Sequence, residues 1–158
     1  MEFKVKVCRL SEMFYLSYPQ EKFPEILRKA ERPYTCLMIE TDNGYLICIP
    51  FRSSIKHNDA FIFKNIKRSK NTRSGLDYKK TVIVKELKYI DIDEPAVVDN
   101  DEYSMMMKHI DSIAFEIENY ISRYVNHVAG TKLLHPREFE RHYKYSTLPY
   151  FNNLLGIN

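Results

Sequence analysis

Tyr34-Thr35-Cys36-Leu37-Met38-Ile39-Glu40-Thr41-Asp42-Asn43-Gly44-Tyr45-Leu46-Ile47-Cys48-Ile49-Pro50 is the stretch whose reading decides the fold of this 158-residue chain. Two runs rich in β-branched and aromatic residues flank Asp42-Asn43-Gly44. Asn-Gly is the favoured pair for a type I′ turn, because both residues tolerate positive φ. The stretch predicts an antiparallel hairpin, with Tyr34–Thr41 and Tyr45–Pro50 as its arms. Upstream, Phe3, Val5 and Val7 alternate with Glu2, Lys4 and Lys6, which predicts a first strand, and Ser11 is placed to cap a short helix carrying Met13, Phe14 and Tyr15. Pro24 can open a helical turn through Ile26 and Leu27 to Lys29.

Downstream, residues Ala60–Lys64 alternate again. Asn65 to Ser74 is polar, basic and without apolar periodicity apart from Ile66, which predicts an exposed, mobile loop. Thr81–Val84 and Leu87–Ile92 complete a set of about six strands. From about Asp101 to Val128 the apolar positions Met106, Ile110, Ile113, Ile117, Tyr120, Ile121, Tyr124 and Val128 fall three or four apart. One long helix is therefore predicted, ended by Gly130 in a left-handed conformation. Met105, Met106 and Met107 read as flexible core filler. Pro136 starts a helix carrying Phe139 and Tyr143, and Thr147 caps a last short helix closed by Gly156. A long apolar stripe is most readily buried across a strongly twisted antiparallel sheet. The expected class is thus α+β, as a single domain over residues 1–158.

Hydrophobic residues make up 44% of the chain, which suffices for one real core. No run of about 18 apolar residues could span a bilayer, and the alternating N-terminus reads as a strand and not as a signal peptide; no membrane partner and a cytoplasmic location are expected. Cys8, Cys36 and Cys48 are odd in number, widely spaced and set in apolar contexts. They read as buried thiols, not as disulfides or a zinc site.

The net charge of +3 conceals a division: residues 52–80 hold nine Lys or Arg against two acids, whereas residues 81–119 hold three against ten. A confined positive region attracts polyanions, and the alternative is a solvated lysine-rich loop. The basic block begins with Pro50-Phe51-Arg52-Ser53-Ser54-Ile55-Lys56-His57-Asn58, at the exit of the second hairpin arm. Strand exits place functional groups on a solvated loop fixed by a rigid scaffold. Arg52 and Lys56 suit phosphate charge, Ser53 and Ser54 suit phosphoryl hydrogen bonds, and His57, with an ordinary pKa of about 6.5, suits proton transfer at neutral pH.

Together these five residues match what cutting RNA without a metal or cofactor requires. The 2′-hydroxyl attacks the adjacent phosphorus, leaving a 2′,3′-cyclic phosphate and a 5′-hydroxyl. The protein aligns the nucleotide, moves two protons and stabilises the phosphoryl charge. Each residue also has a plainer reading: turn-capping serines, a histidine packed on an aromatic, an arginine paired with an acid of a later strand. The sequence holds no glycine-rich phosphate loop, zinc quartet or His-Glu-x-x-His helix, and the acids of residues 91–102 lack calcium-loop spacing. His109, His127, His135 and His142 lie on helices at spacings that do not converge, and a surface or core role is expected for them.

The hairpin ending in Ile49-Pro50, the following Arg52-Ser53-Ser54-Ile55-Lys56-His57-Asn58, Gly75-Leu76-Asp77 before a Val-Ile-Val strand, and the Met-rich helix from Tyr103 resemble the endoribonuclease toxins of type III toxin–antitoxin systems. That family includes the ToxN and AbiQ toxins, and the chain looks closest to the CptN and TenpN branch. The resemblance implies a barrel-like fold of the MazF and Kid kind and metal-independent cleavage of cellular or phage mRNA in phage defence. It also implies inhibition by a repeated small RNA antitoxin that the toxin processes, in a cyclic toxin–RNA assembly. The family's hydroxyl-hydroxyl-x-lysine motif falls on Ser53, Ser54 and Lys56 if one residue is inserted before it; without the insertion Arg52 takes the first place and Ile55 the lysine's. Tyr34, Arg32 and Lys29 are nearby candidates for the family's N-terminal aromatic and basic residues. On this reading Lys64, Lys67, Arg68, Lys70, Arg73, Lys79 and Lys80 follow RNA phosphates while Tyr34 and Phe51 stack on splayed bases. The alternatives are a non-catalytic RNA- or DNA-binding module and a structural partner in a protein assembly.

Overall fold

The computed structural model describes residues 4–28, 34–93 and 95–157. Glu2 and Phe3 of the expected first strand, and Lys29 and Arg32, lie outside them. Seven strands of the described residues form one antiparallel system: β1 (Val5–Leu10), β2 (Thr35–Glu40), β3 (Leu46–Arg52), β4 (Ala60–Ile62), β5 (Gly75–Asp77), β6 (Val82–Val84) and β7 (Ile90–Asp91). Among the described residues four α-helices accompany them: α1 (Glu12–Ser17), α2 (Asn100–Lys108), α3 (Ile110–Ala129) and α4 (Pro136–Tyr143). The class is α+β, and the sheet is not closed, running β4-β5-β3-β2-β1-β7 with β6 also paired to β3.

β2 and β3 form the expected hairpin, with Leu37 opposite Ile49 and Ile39 opposite Ile47. The turn differs from expectation: Gly44 has φ 82, while Asn43 is not among the described residues with positive φ. A type I′ turn needs both. Thr41 instead closes a longer loop, its Oγ1 donating to Tyr45 O at 2.7 Å and accepting from Asn43 N–H at 3.2 Å. A three-residue loop ending in left-handed glycine suits the twist of the strands equally well.

β3 organises the far side of the sheet, because its two halves pair with different strands on the same edge. Leu46, Ile47 and Cys48 pair with β6, and Phe51 and Arg52 with β5. Pro50 lies between these two pairings and opposite Cys36 of β2. Gly75 opposes Arg52 on one side and Ile62 on the other. A Cβ at residue 75 would overlap the Phe61 carbonyl oxygen, so only glycine lets β4 approach β5 this closely.

Ser11 caps α1 as expected, accepting from Phe14 N–H at 3.3 Å. Pro24 opens turns and no helix. The single long helix is two. α2 ends at His109, whose φ of −111° and ψ of 20° break the helical path before α3 begins. The apolar spacing runs through the break unchanged, so the pattern does not reveal it. Gly130 caps α3 at φ 79. Thr147 does not cap the final 3-10 turn (Leu148–Phe151); its hydroxyl donates to the carbonyls of Lys79 and Thr81 and ties that turn to the sheet.

One core unites the layers. Met106, Ile113, Ile117 and Tyr124 join Leu37, Ile39, Ile47 and Ile83 of the sheet, and all three cysteines are buried within it. The segment 65–74 is not a featureless loop: Ile66 and Ser74 are buried, and a 3-10 turn spans Arg68–Lys70.

Candidate functional site

Beyond Arg52 the chain leaves the sheet in a turn held at three points. Ser54 adopts a left-handed backbone, φ 56, and its N–H donates to Thr72 Oγ1 at 2.7 Å. Its own hydroxyl lies 3.1 Å from the same oxygen. Ile55 is buried and its N–H bonds to Arg73 O at 2.8 Å. Arg73 returns the clamp, its Nη1 donating to Ile55 O at 3.0 Å and His57 O at 2.6 Å, and its Nη2 to Asn58 Oδ1 at 2.9 Å. Ser53, Ser54 and Lys56 are left exposed on this rigid support.

Beneath the turn lies Asp77, which is 0% exposed. Arg52 Nη1 donates to its Oδ2 at 2.8 Å, and Lys79 N–H to its Oδ1 at 3.1 Å. His57 Nε2 stands 3.0 Å from Oδ1, close to it but outside hydrogen-bond geometry. Burial pushes the Asp77 pKa up, but contacts with His57 and Arg52 outweigh it, and the carboxyl is held below the usual range. His57 Nδ1 accepts from Asp59 N–H at 3.1 Å, which puts the proton of the neutral ring on Nε2, toward Asp77. Asp59 in turn engages His142 on α4, whose Nδ1 lies 2.8 and 2.9 Å from the two carboxylate oxygens. Lys79 Nζ lies 3.9 Å from Asp59 and donates to Arg141 O at 2.8 Å.

Two open cavities meet at Arg52. One, of about 430 Å³, is lined by Ser54, Lys56, His57, Lys79 and Lys80 as well as Arg52, together with Glu25 and Tyr145. The other, of about 330 Å³, is lined by Ser53, Phe51, Tyr34, Arg68 and Glu102 among others. The five residues expected to act on a phosphodiester are thus brought together, with the two serines divided between the cavities.

The expected RNA contacts divide. Lys64, Lys67 and Lys70 are exposed, and their side chains make no ion pair among the described residues. Arg68 is held by Asp99 at 3.1 Å and Glu102 at 3.3 Å. Arg73 serves the turn. Lys79 is 8% exposed, and Lys80 is bound by Glu25 at 2.6 Å and by Tyr145 O at 2.8 Å. Both line the larger cavity as fixed positive charge, not as mobile phosphate contacts. Phe51 and Tyr34 sit half-buried at the smaller cavity, Phe51 stacked on Phe63 with centroids 6.0 Å apart.

Sequence reasoning missed Asp59, Asp77 and His142 as members of the site. Asp77 stood within the Gly75-Leu76-Asp77 landmark, and one buried-acid partner for Arg52 was the signal that could have found it. Comparison with protein-family models, curated proteins and solved structures finds no match to this chain.

Proposed function

We propose that the chain is a metal-independent endoribonuclease cutting single-stranded RNA, and that it is a cytoplasmic toxin of the type III toxin–antitoxin kind, inhibited by a repeated RNA that it also processes. The observation that carries the first part is the grouping of Arg52, Ser54, Lys56 and His57 with Lys79 and Lys80 around one open cavity. The second part rests on the sequence resemblance, and on it the open sheet is a relative of the MazF and Kid barrels.

Four cations around one cavity suit a phosphodiester whose charge grows as the 2′-oxygen attacks phosphorus. Arg52, fixed by Asp77, and mobile Lys56 grip the non-bridging oxygens, with the hydroxyls of Ser53 and Ser54 donating to them. A base removes the 2′ proton, the P–O5′ bond breaks, and an acid protonates the departing oxygen. His57 takes part in that transfer once its Nδ1 exchanges the Asp59 N–H for substrate; its Nε2 stays beside Asp77. Lys56, at the same cavity, is a second donor to the phosphate oxygens.

Incubating the chain with mixed-sequence RNA in excess EDTA, beside Lys56→Ala and His57→Ala variants, tests the reading. Cyclic phosphate ends produced by the wild type alone support it. Intact RNA retained by the protein overturns it in favour of a non-catalytic nucleic-acid-binding module. One observation favours that second reading: both ring nitrogens of His57 are engaged within the protein.

A further inference from the structure

Each cavity holds an acid and an aromatic ring, Glu25 and Tyr145 in the larger, and the smaller gathers two of each. The smaller is lined by Ser53, by the guanidiniums of Arg9, Arg52 and Arg68, by two aromatic rings, Tyr34 and Phe51, and by the carboxylates of Asp99 and Glu102, which Arg68 bridges. Glu102 is 4% exposed. A site for phosphate alone would not place a buried carboxylate within it, since the like charge opposes the ligand. Carboxylates beside aromatic rings suit a ligand that presents a π face and N–H donors, which describes a nucleobase. The volume of about 330 Å³ lies at the lower end of the range of small-ligand sites and accommodates a base with its ribose.

Position adds to the chemistry. If a phosphate is gripped at Arg52, the nucleotides on its two sides must lie on either side of that residue, and the cavity next to Ser53 is open to one of them. Among the four bases only guanine carries two adjacent donors, N1–H and N2–H, on its Watson–Crick edge, matching a carboxylate's two oxygens. Adenine and cytosine each place a ring lone pair beside their single amino donor, and uracil flanks its one N–H with carbonyls; each would turn an acceptor toward the acid.

We infer that the cavity formed by Tyr34, Phe51, Arg68, Asp99 and Glu102 is a nucleobase site selecting guanine next to the phosphate held at Arg52. This rests on the ribonuclease reading for its place in the reaction, but not for binding itself. Burial, opposed by Arg68 and reinforced by Asp99 and Asp101, pushes the Glu102 pKa up.

The test is titration of the full chain with 3′-GMP, 3′-AMP, 3′-CMP and 3′-UMP by calorimetry, together with mapping of RNA cut sites. The expected result is binding of 3′-GMP about tenfold or more tighter than the others, the discrimination of one bidentate base contact. Glu102→Gln and Asp99→Asn should each erode that preference; Asp99 is half exposed, so its substitution does not threaten folding. Equal affinity for all four nucleotides, or a preference surviving both substitutions, overturns the inference. RNA cut without guanine preference removes the base site and leaves the ribonuclease. Selective 3′-GMP binding by a chain that cuts no RNA removes the ribonuclease and leaves the base site.

Discussion

Arg52 reaches Asp77 at 2.8 Å across the β3–β5 ladder, from a guanidinium that is 30% exposed to a carboxylate that solvent does not touch. The exposed end of the pair faces the candidate site, and the buried end holds it there. Removing Asp77 leaves Arg52 and His57 without their shared acceptor, so Asp77→Ala should cost about 3 kcal/mol, the scale for breaking a buried pair from one side. The pH dependence comes from the lowered pKa of Asp77. The unfolded chain takes up this proton at higher pH than the folded one. The stabilisation is therefore complete above the usual carboxylate range and lost as pH falls through and below it. Urea midpoints measured from neutral to strongly acid pH should show that acid limb shallower in Asp77→Asn than in wild type. An unchanged limb would remove Asp77 from this role.

Lys56 and His57 are adjacent in sequence and opposite in setting. Lys56 is exposed and makes no ion pair among the described residues, whereas His57 contacts Asp77 and the Asp59 backbone. Lys56→Ala should leave thermal stability within about 0.5 kcal/mol of wild type. Cleavage should fall by about 100-fold or more, as expected for loss of a charge at a developing oxyanion, while RNA retention falls only a few-fold. His57→Ala should lower both cleavage and stability. Equal cleavage by wild type and Lys56→Ala would take the lysine out of the chemistry.

Ser54 carries a left-handed backbone that glycine adopts at no cost, and the Thr72 hydroxyl holds it there. A non-glycine residue in this region costs about 1 kcal/mol, strain of the kind found at functional turns. Ser54→Gly should raise stability by up to that amount while lowering cleavage, since the hydroxyl at the phosphate is lost. Denaturation and single-turnover cleavage on the same preparation check the two signs. A drop in stability would mean that the Ser54–Thr72 hydroxyl contact outweighs the strain.

What the sequence made legible was local. The hairpin, the Ser11 cap, the Gly130 stop and the Pro136 helix each rest on residues within a few positions of one another, and the Pro50–Asn58 cluster is a single stretch of chain. The partners of that cluster are not local: Asp77 lies 25 residues beyond Arg52, and His142 lies 83 beyond Asp59. Spacing among the histidines alone could not converge, because the acid that gathers His142 sits on a loop. The break at His109 was hidden for another reason, as both helices keep their apolar residues on one face. Charge misled at Arg73, Lys79 and Lys80, where a basic residue count says nothing about which ammonium or guanidinium is already spoken for.

Arg73 and Lys67 separate these two fates of a positive charge in one segment. Arg73 gives three hydrogen bonds to the turn of residues 55–58, and Lys67 extends an exposed side chain. Arg73→Ala should free the turn, seen as faster amide exchange at Ile55, whose N–H bonds to the Arg73 carbonyl. Cleavage should fall with it, and the salt dependence of RNA binding should stay as it was. Lys67→Ala and Lys70→Ala should leave exchange unchanged and each reduce the slope of log affinity against log salt by about 0.7, the value for one phosphate contact on a single strand. A salt slope that falls on removing Arg73, with the turn still protected, would return that arginine to the RNA-contacting surface and leave the turn to Ile55 and Thr72.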